Sequence, residues 1–228
     1  IYGRHRLVAS LCDQIDKTYS SNKSVILDLG CGNLNIARLI PSNLQSRILM
    51  ANSDISGPMA VPDKSALQRG TKSLIAQKSD LEFINIQYDF NQSDWPFKDE
   101  SVNYIVSCMA LHHIRPERKS KIMSEIYSTL ISGGSMIVVD VFQKDDSGFK
   151  FTDAGKRGPG GCEGHISSLC DFLDLAFQVG FKTDPVAVNL FNKKRNILTR
   201  EELDIAVNNV NATLAINKAA WFVVLTKS

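Results

Sequence analysis

The chain has 228 residues, 43% of them apolar and 22% charged, and a formal charge of +2. That is the make-up of an ordinary globular protein within the size of one large α/β domain, with no basic surface suited to a nucleic-acid backbone. No apolar run approaches the roughly 20 residues of a membrane helix and no secretory pattern opens the chain, so the expected location is the cytoplasm.

In chain order, Leu7, Val8, Leu11, Ile15 and Tyr19 recur at helical spacing over residues 2–19, and the polar break Ser20-Ser21-Asn22-Lys23 follows. Val25, Ile26, Leu27 and Leu29 form a short apolar run that reads as a buried parallel strand, broken at Gly30 and Gly32. Ile36, Ala37, Leu39 and Ile40 then predict a helix, so the unit reads strand, glycine turn, helix. Such a turn lets a ligand approach the backbone, and the helix start offers free N–H groups. Asp28 stands in the apolar strand just before the turn, where a carboxylate attracts a cationic group rather than a phosphate.

A second strand spans Arg47 to Ala51 and ends at Asn52-Ser53-Asp54-Ile55-Ser56. An acid at the end of the second strand of an open α/β sheet is where a ribose is held, and Asp54 fits that place. Residues 63–78 predict a helix capped by Asp63, and Leu81 to Phe90 a strand ending in Asp89-Phe90. An Asp beside an aromatic ring at a strand's carboxyl end suits recognition of an exocyclic amine. The fourth strand, Val102 to Cys108, leads into Met109-Ala110-Leu111-His112-His113-Ile114, a loop that faces the ligand crevice in open α/β sheets. Imidazole titrates near neutrality, so His112 and His113 are candidate general bases; adjacent residues on a turn point different ways, so one of them at most should meet a substrate.

Pro116 to Leu130 predict a helix with the stripe Ile122, Ile126, Tyr127 and Leu130, ended by Ser132-Gly133-Gly134, and Ser135 to Phe142 a fifth buried strand. Residues 144–165 are rich in Gly, Lys and Asp, with a glycine-dense run from Gly155 to Gly161 that suggests a substrate lid over Asp145 to Gly164. A helix over residues 166–179 closed by Gly180, a strand from Phe181 to Phe191, a capping box at Thr199-Arg200-Glu201-Glu202 and a last strand from Trp221 to Thr226 complete the chain. The five cysteines lack paired metal spacing and read as reduced thiols, and the lone Cys162-x-x-His165 is a weak metal signal; nothing in the pattern requires a metal. The first residue is Ile1, which leaves open a longer parent chain.

The run Asp28-Leu29-Gly30-Cys31-Gly32 resembles the first motif of the class I, Rossmann-like S-adenosylmethionine-dependent methyltransferases, with Leu34 where a third glycine is usual. The acid and turn from Asp89 through Trp95-Pro96-Phe97 to the fourth strand resemble the same family, and Leu111-His112-His113-Ile114 resembles its small-molecule members of the ubiquinone and menaquinone biosynthesis type. The resemblance covers residues 2–142 and implies a single Rossmann-like α/β domain. It would have a largely parallel seven-stranded sheet, helices on both faces and an antiparallel last strand.

The resemblance further implies that S-adenosylmethionine is held by Asp28, Gly30, Cys31, Gly32, Asp54, Ile55, Asp89, Phe90 and Cys108, and that residues 1–22 fold over the cofactor, with Tyr2, Arg4 and His5 near its carboxylate. Residues 25–142 would be the cofactor-binding core and 143–228 the lid and substrate side. The acceptor is expected to be a small molecule, its methylated atom open among O, N and C. Two alternatives stay open: a nucleic-acid or protein methyltransferase, and a non-catalytic relative that only binds. Cys108-Met109-Ala110 stands where amino-directed nucleic-acid enzymes carry an Asn/Asp-Pro-Pro-Tyr run.

Overall fold

The computed structural model describes residues 2–17, 22–32, 34–54, 80–143, 151–152, 163–165, 167–182, 186–189, 196–197 and 218–228. Ile55, the expected helix over 63–78, most of the expected lid and the capping box at 199–202 lie outside them. The elements in order are α1 (Tyr2–Lys17), β1 (Ser24–Leu29), β2 (Ile48–Asp54), β3 (Glu82–Gln87), β4 (Val102–Cys108), α2 (Pro116–Thr129), β5 (Leu130–Gln143), β6 (Phe151–Thr152), β7 (Glu163–Gly164), α3 (Leu169–Val179), β8 (Val186–Asn189), β9 (Asn196–Ile197) and β10 (Lys218–Thr226).

One sheet takes the order β3-β2-β1-β4-β5-β10-β8-β9. Its first five strands are parallel, and β10 lies antiparallel between β5 and β8. The sheet is thus mostly parallel with an antiparallel last strand, as expected. It has eight strands among the described residues rather than seven, because the two-residue β9 pairs at the edge of β8. Central strands are rich in buried aliphatic residues because both faces are covered, with a few buried polar residues such as Asp28 and Asp140 among them. On one face α1 brings Leu7, Val8, Leu11 and Ile15 against Ile26, Tyr104 and Ile137. On the other, Ile122, Met123 and Ile126 of α2 and Phe172, Leu173 and Ala176 of α3 close over Leu27, Ile105 and Val138.

Three boundaries differ from the sequence-based expectation. The helix predicted after the glycine turn is only a 3-10 turn, Ala37–Leu39, followed by one helical turn, Ser42–Gln45. Pro41 accounts for the break: the residue before a proline is pushed out of the helical region, and Ile40 is extended with ψ 124°. The third strand stops at Gln87, and Tyr88 leaves it to pack edge-on against Phe90, Trp95 and Phe97. Finally, Ser132-Gly133-Gly134 does not end α2. Leu130 is already extended, and the glycines serve an irregularity inside β5, where the register against β4 shifts. Gly133 has φ +75°, and a Cβ on Gly134 would lie 2.8 Å from the Asn103 carbonyl.

Leu34, in place of the usual third glycine, keeps the backbone that a glycine would give, with φ +58°. Its side chain is fully buried among α1 and β1 residues, so it fills core. A left-handed conformation costs a bulky residue about 1–2 kcal/mol, whereas deleting a buried leucine side chain costs about 2–5 kcal/mol, so packing outweighs strain. Leu34→Gly is therefore expected to lower stability in denaturant unfolding by roughly 1–4 kcal/mol. A variant as stable as the parent would show that relief of strain offsets the lost packing.

Candidate functional site

The order of strands reverses between β1 and β4, so the loops leaving their carboxyl ends diverge and open a crevice. Gly30 lines it with φ +74°, and a Cβ there would sit 2.2 Å from the Ala110 Cβ, an impossible contact. The Gly30 and Cys31 amides both donate to the Ser53 carbonyl, at 2.9 and 3.0 Å, and the Gly32 amide donates to Asp54 Oδ2 at 2.8 Å. The second strand's acid thus holds the glycine turn in shape. Phe90 completes this wall, its Cε2 3.9 Å from the side-chain position of Gly30.

Asp28 is 1% exposed, and its Oδ2 has no hydrogen-bond partner among the described residues. Burial, reinforced by the neighbouring Asp54, pushes its pKa up to about 8, and Arg4 of α1 pulls the other way. A buried carboxylate oxygen without a partner is costly unless a cation or donor meets it, so this atom is open to a cationic or hydrogen-bond-donating group. Burial and the same two carboxylates also raise the Cys31 thiol far above its usual range. The Cys108 thiol is raised by burial too, against the opposing pull of Arg4, which hydrogen-bonds it; both Asp28 and Asp140 add to the rise. Cys108 therefore lies between the crevice and a second polar centre.

That centre is His112. Its Nδ1 meets Asp140 Oδ1 at 2.6 Å, with both side chains nearly fully buried. The other oxygen, Asp140 Oδ2, accepts from the Leu111 and His112 amides at 2.8 and 3.2 Å, so one carboxylate fixes both the turn and the ring. A carboxylate at Nδ1 places the proton there and leaves Nε2 as the acceptor nitrogen. His113 adjoins this arrangement. Its ring lies 4.1 Å from that of His112, while its amide donates to the Ala110 carbonyl and its own carbonyl accepts from Asn91 Nδ2. Met109, just before the turn, holds φ +59° and is 39% exposed at the crevice, and strained non-glycine backbone of this kind gathers at functional sites.

Most of the predicted residues thus converge. Asp89 also caps its own turn, Oδ1 accepting from the Asn91 amide at 2.8 Å. Asp140 escaped the reading of the sequence, although a lone carboxylate in the apolar run Met136 to Phe142 is the same signal that drew attention to Asp28. Lys119 was missed as well. Its ammonium bonds the His165 carbonyl and Ser167 Oγ, and the His165 amide donates to the His112 carbonyl. Among the described residues no group of three or more His, Cys, Asp or Glu is arranged to hold a metal.

Residues 26–134 match the family model of the methyltransferase domain. The fold is that of the S-adenosylmethionine-dependent methyltransferases. It superposes on phosphoethanolamine N-methyltransferase 2 of Haemonchus contortus in complex with S-adenosyl-L-methionine, with a TM-score of 0.61 at 17% identity over 97% of this chain and 52% of that one. It also superposes on the O-methyltransferase of a Brevibacillus brevis trans-AT PKS multienzyme in complex with S-adenosyl-L-homocysteine, with a TM-score of 0.59 at 17% identity over 99% and 72%. An uncharacterized methyltransferase of Staphylococcus carnosus is 24% identical over 128 residues, 56% of this chain and 52% of that protein. The chain spans about half the length of this curated relative. No helix among the described residues is long and apolar enough to cross a membrane.

The donor set fits S-adenosylmethionine: an unpartnered buried carboxylate for its ammonium, a glycine wall that a Cβ would fill, and an aromatic ring beside it. The Asp28 shift has a consequence for stability. The folded protein keeps on Asp28 a proton that the unfolded chain, at the ordinary value of 3.8, has already lost, so stability falls as pH rises from about 4 to about 8 and stays low above. Asp28→Asn should remove that slope, raising the melting temperature of the ligand-free protein at pH 9 and changing it little near pH 4. Parallel pH profiles for parent and variant would refute the assignment.

Proposed function

We propose that this chain transfers a methyl group from S-adenosylmethionine to a small-molecule acceptor, with His112 as the general base. The observation that carries the reading is the buried His112–Asp140 pair at 2.6 Å, held at the carboxyl ends of β4 and β5 beside the glycine crevice. The bound cofactor supplies a methyl carbon made electrophilic by its sulfonium.

Asp28 Oδ2 receives the cofactor's ammonium, and Arg4, within reach of both Asp28 and Cys108, its carboxylate. Gly30, Cys31 and Gly32 let its backbone-side atoms approach. Asp54, with Ile55 after it, holds the ribose; Asp89 and Phe90 take the adenine; and Cys108 lies near the methyl. These residues align donor and acceptor in a near-attack geometry, which supplies much of the rate. His112 Nε2 accepts the acceptor's proton, and Asp140 keeps Nδ1 protonated and steadies the imidazolium that results. His113 shapes the turn. Reduced thiols and the lack of a membrane-spanning helix among the described residues favour action in the cytoplasm.

Calorimetry with S-adenosylhomocysteine and a mass-spectrometric screen of small acceptors test this reading. Asp54→Ala should weaken S-adenosylhomocysteine binding by roughly 1–3 kcal/mol through loss of charge-assisted bonds. With an acceptor in hand, His112→Ala should lower turnover by about 100-fold or more and leave cofactor affinity within about twofold. Asp140→Asn should do nearly as much damage, because an amide cannot hold the same tautomer. Parental turnover in both variants would mean that alignment alone drives the reaction.

A further inference from the structure

Next to His112 a cavity opens between α2, α3 and the end of β5. Ile122 and Met123 of α2, Phe142 of β5, and Phe172 and Leu175 of α3 form its apolar walls. Its polar rim is His112, Asp140, Lys119, His165 and Ser167. None of the residues assigned to the cofactor lines it, and His112 and Asp140 join it to the proposed base. Protein interiors pack with few voids, so a gap lined by hydrocarbon and edged by polar groups beside a candidate catalytic histidine is a feature to be filled.

The chemistry of the rim decides what fills it. Asp140 is the carboxylate on this rim, and its acceptor sites are taken: Oδ2 by the Leu111 and His112 amides, Oδ1 by His112 Nδ1 and by the Val141 amide at 2.7 Å. Among the described residues lining the cavity, no carboxylate oxygen is left to receive an ammonium ion. Lys119 adds a cation to the same rim, where its ammonium bonds the His165 carbonyl and Ser167 Oγ; burial lowers its pKa, as expected of a partly dry position. A cationic headgroup would meet that charge on a rim whose neighbouring carboxylates, Asp140 and Asp171, already act on Lys119, while the walls offer dispersion contacts and a dry surface to hydrocarbon. Nε2 of His112 has no partner among the described residues and is the acceptor on the rim for a neutral O–H or N–H donor.

We propose that this cavity is the acceptor site, and that it takes an uncharged acceptor whose hydrocarbon body, a ring or short alkyl group, lies between α2 and α3 with a weakly acidic hydroxyl at His112 Nε2. The inference rests on the methyltransferase reading and narrows it: the cavity selects against cationic amines. Met123 and Leu175, which touch none of the proposed cofactor residues' roles, set the size of body accepted.

The methionines give a direct readout. The chain has five, Met50, Met59, Met109, Met123 and Met136, and among the described residues Met123 is the one that lines the cavity. The full chain, labelled at the methionine methyls and loaded with S-adenosylhomocysteine, is titrated with 2-naphthol, a neutral ring with an acidic hydroxyl, and separately with ethanolamine, a small cation. The expected result is a saturable shift of the Met123 signal with 2-naphthol, none with ethanolamine, and unmoved Met50, which is buried on the opposite face of the sheet. Leu175→Trp, at a half-buried position, should weaken 2-naphthol about tenfold or more by filling the space and leave S-adenosylhomocysteine affinity within about twofold. Loss of S-adenosylhomocysteine binding in the parent would bring down the methyltransferase reading and this inference with it. Normal S-adenosylhomocysteine binding with an unmoved Met123, or a shift of Met123 by ethanolamine, would overturn this inference alone.

Discussion

Gly30 stands where no side chain has room. The backbone after β1 comes so close to Ala110, at the end of β4, that a Cβ would sit 2.2 Å from its neighbour, and this approach is what the site is arranged around. It follows from topology: β1 and β4 are neighbours in the sheet but their onward connections run to opposite sides, so the two loops part just above the point of contact. Because the loops touch there, the Ser53 carbonyl can collect two amides of the glycine turn, Asp54 a third, and the turn after β4 is brought to the end of β5.

Two carboxylates in central strands have opposite fates, and the difference separates the two halves of the site. Asp28 is buried with an unpartnered oxygen and its pKa is raised to about 8, which makes it a receptor waiting for positive charge. Asp140 is equally buried but saturated by three amides and an imidazole, which makes it a scaffold with nothing left to give a ligand. Burial alone predicts neither role; the count of donors around each oxygen decides it. Cys108, which responds to both acids, marks where the halves meet.

The fit between backbone and sequence is looser than the motif suggests. Leu34 holds a glycine-like conformation while its side chain serves the core under α1, so the glycine turn keeps its shape by packing where relatives of the motif keep it by conformational freedom. The turn after it is barely helical, since Pro41 cuts the helix short. A long helix dipole is therefore absent at this crevice. What the crevice offers instead is the unpartnered Asp28 oxygen and the aromatic ring of Phe90.

The sequence by itself determined the order of the elements, the glycine turn, the acids at the ends of successive strands and the histidine pair, because each is written in local periodicity or in a residue type out of keeping with its neighbours. It misjudged Gly133 and Gly134, since a glycine that ends a helix and one that permits a bulge look alike until the facing strand, with the Asn103 carbonyl, is in place. Choosing His112 over His113 needed the tertiary structure for the same reason. The two are equivalent in composition and adjacent in the chain, and it is the arrival of Asp140 from a strand 28 residues further on that puts a buried carboxylate on His112 Nδ1. The cavity between α2 and α3 was likewise invisible, because its walls are ordinary apolar stripes in the sequence and become a binding surface only where two packed helices fail to close over the end of β5.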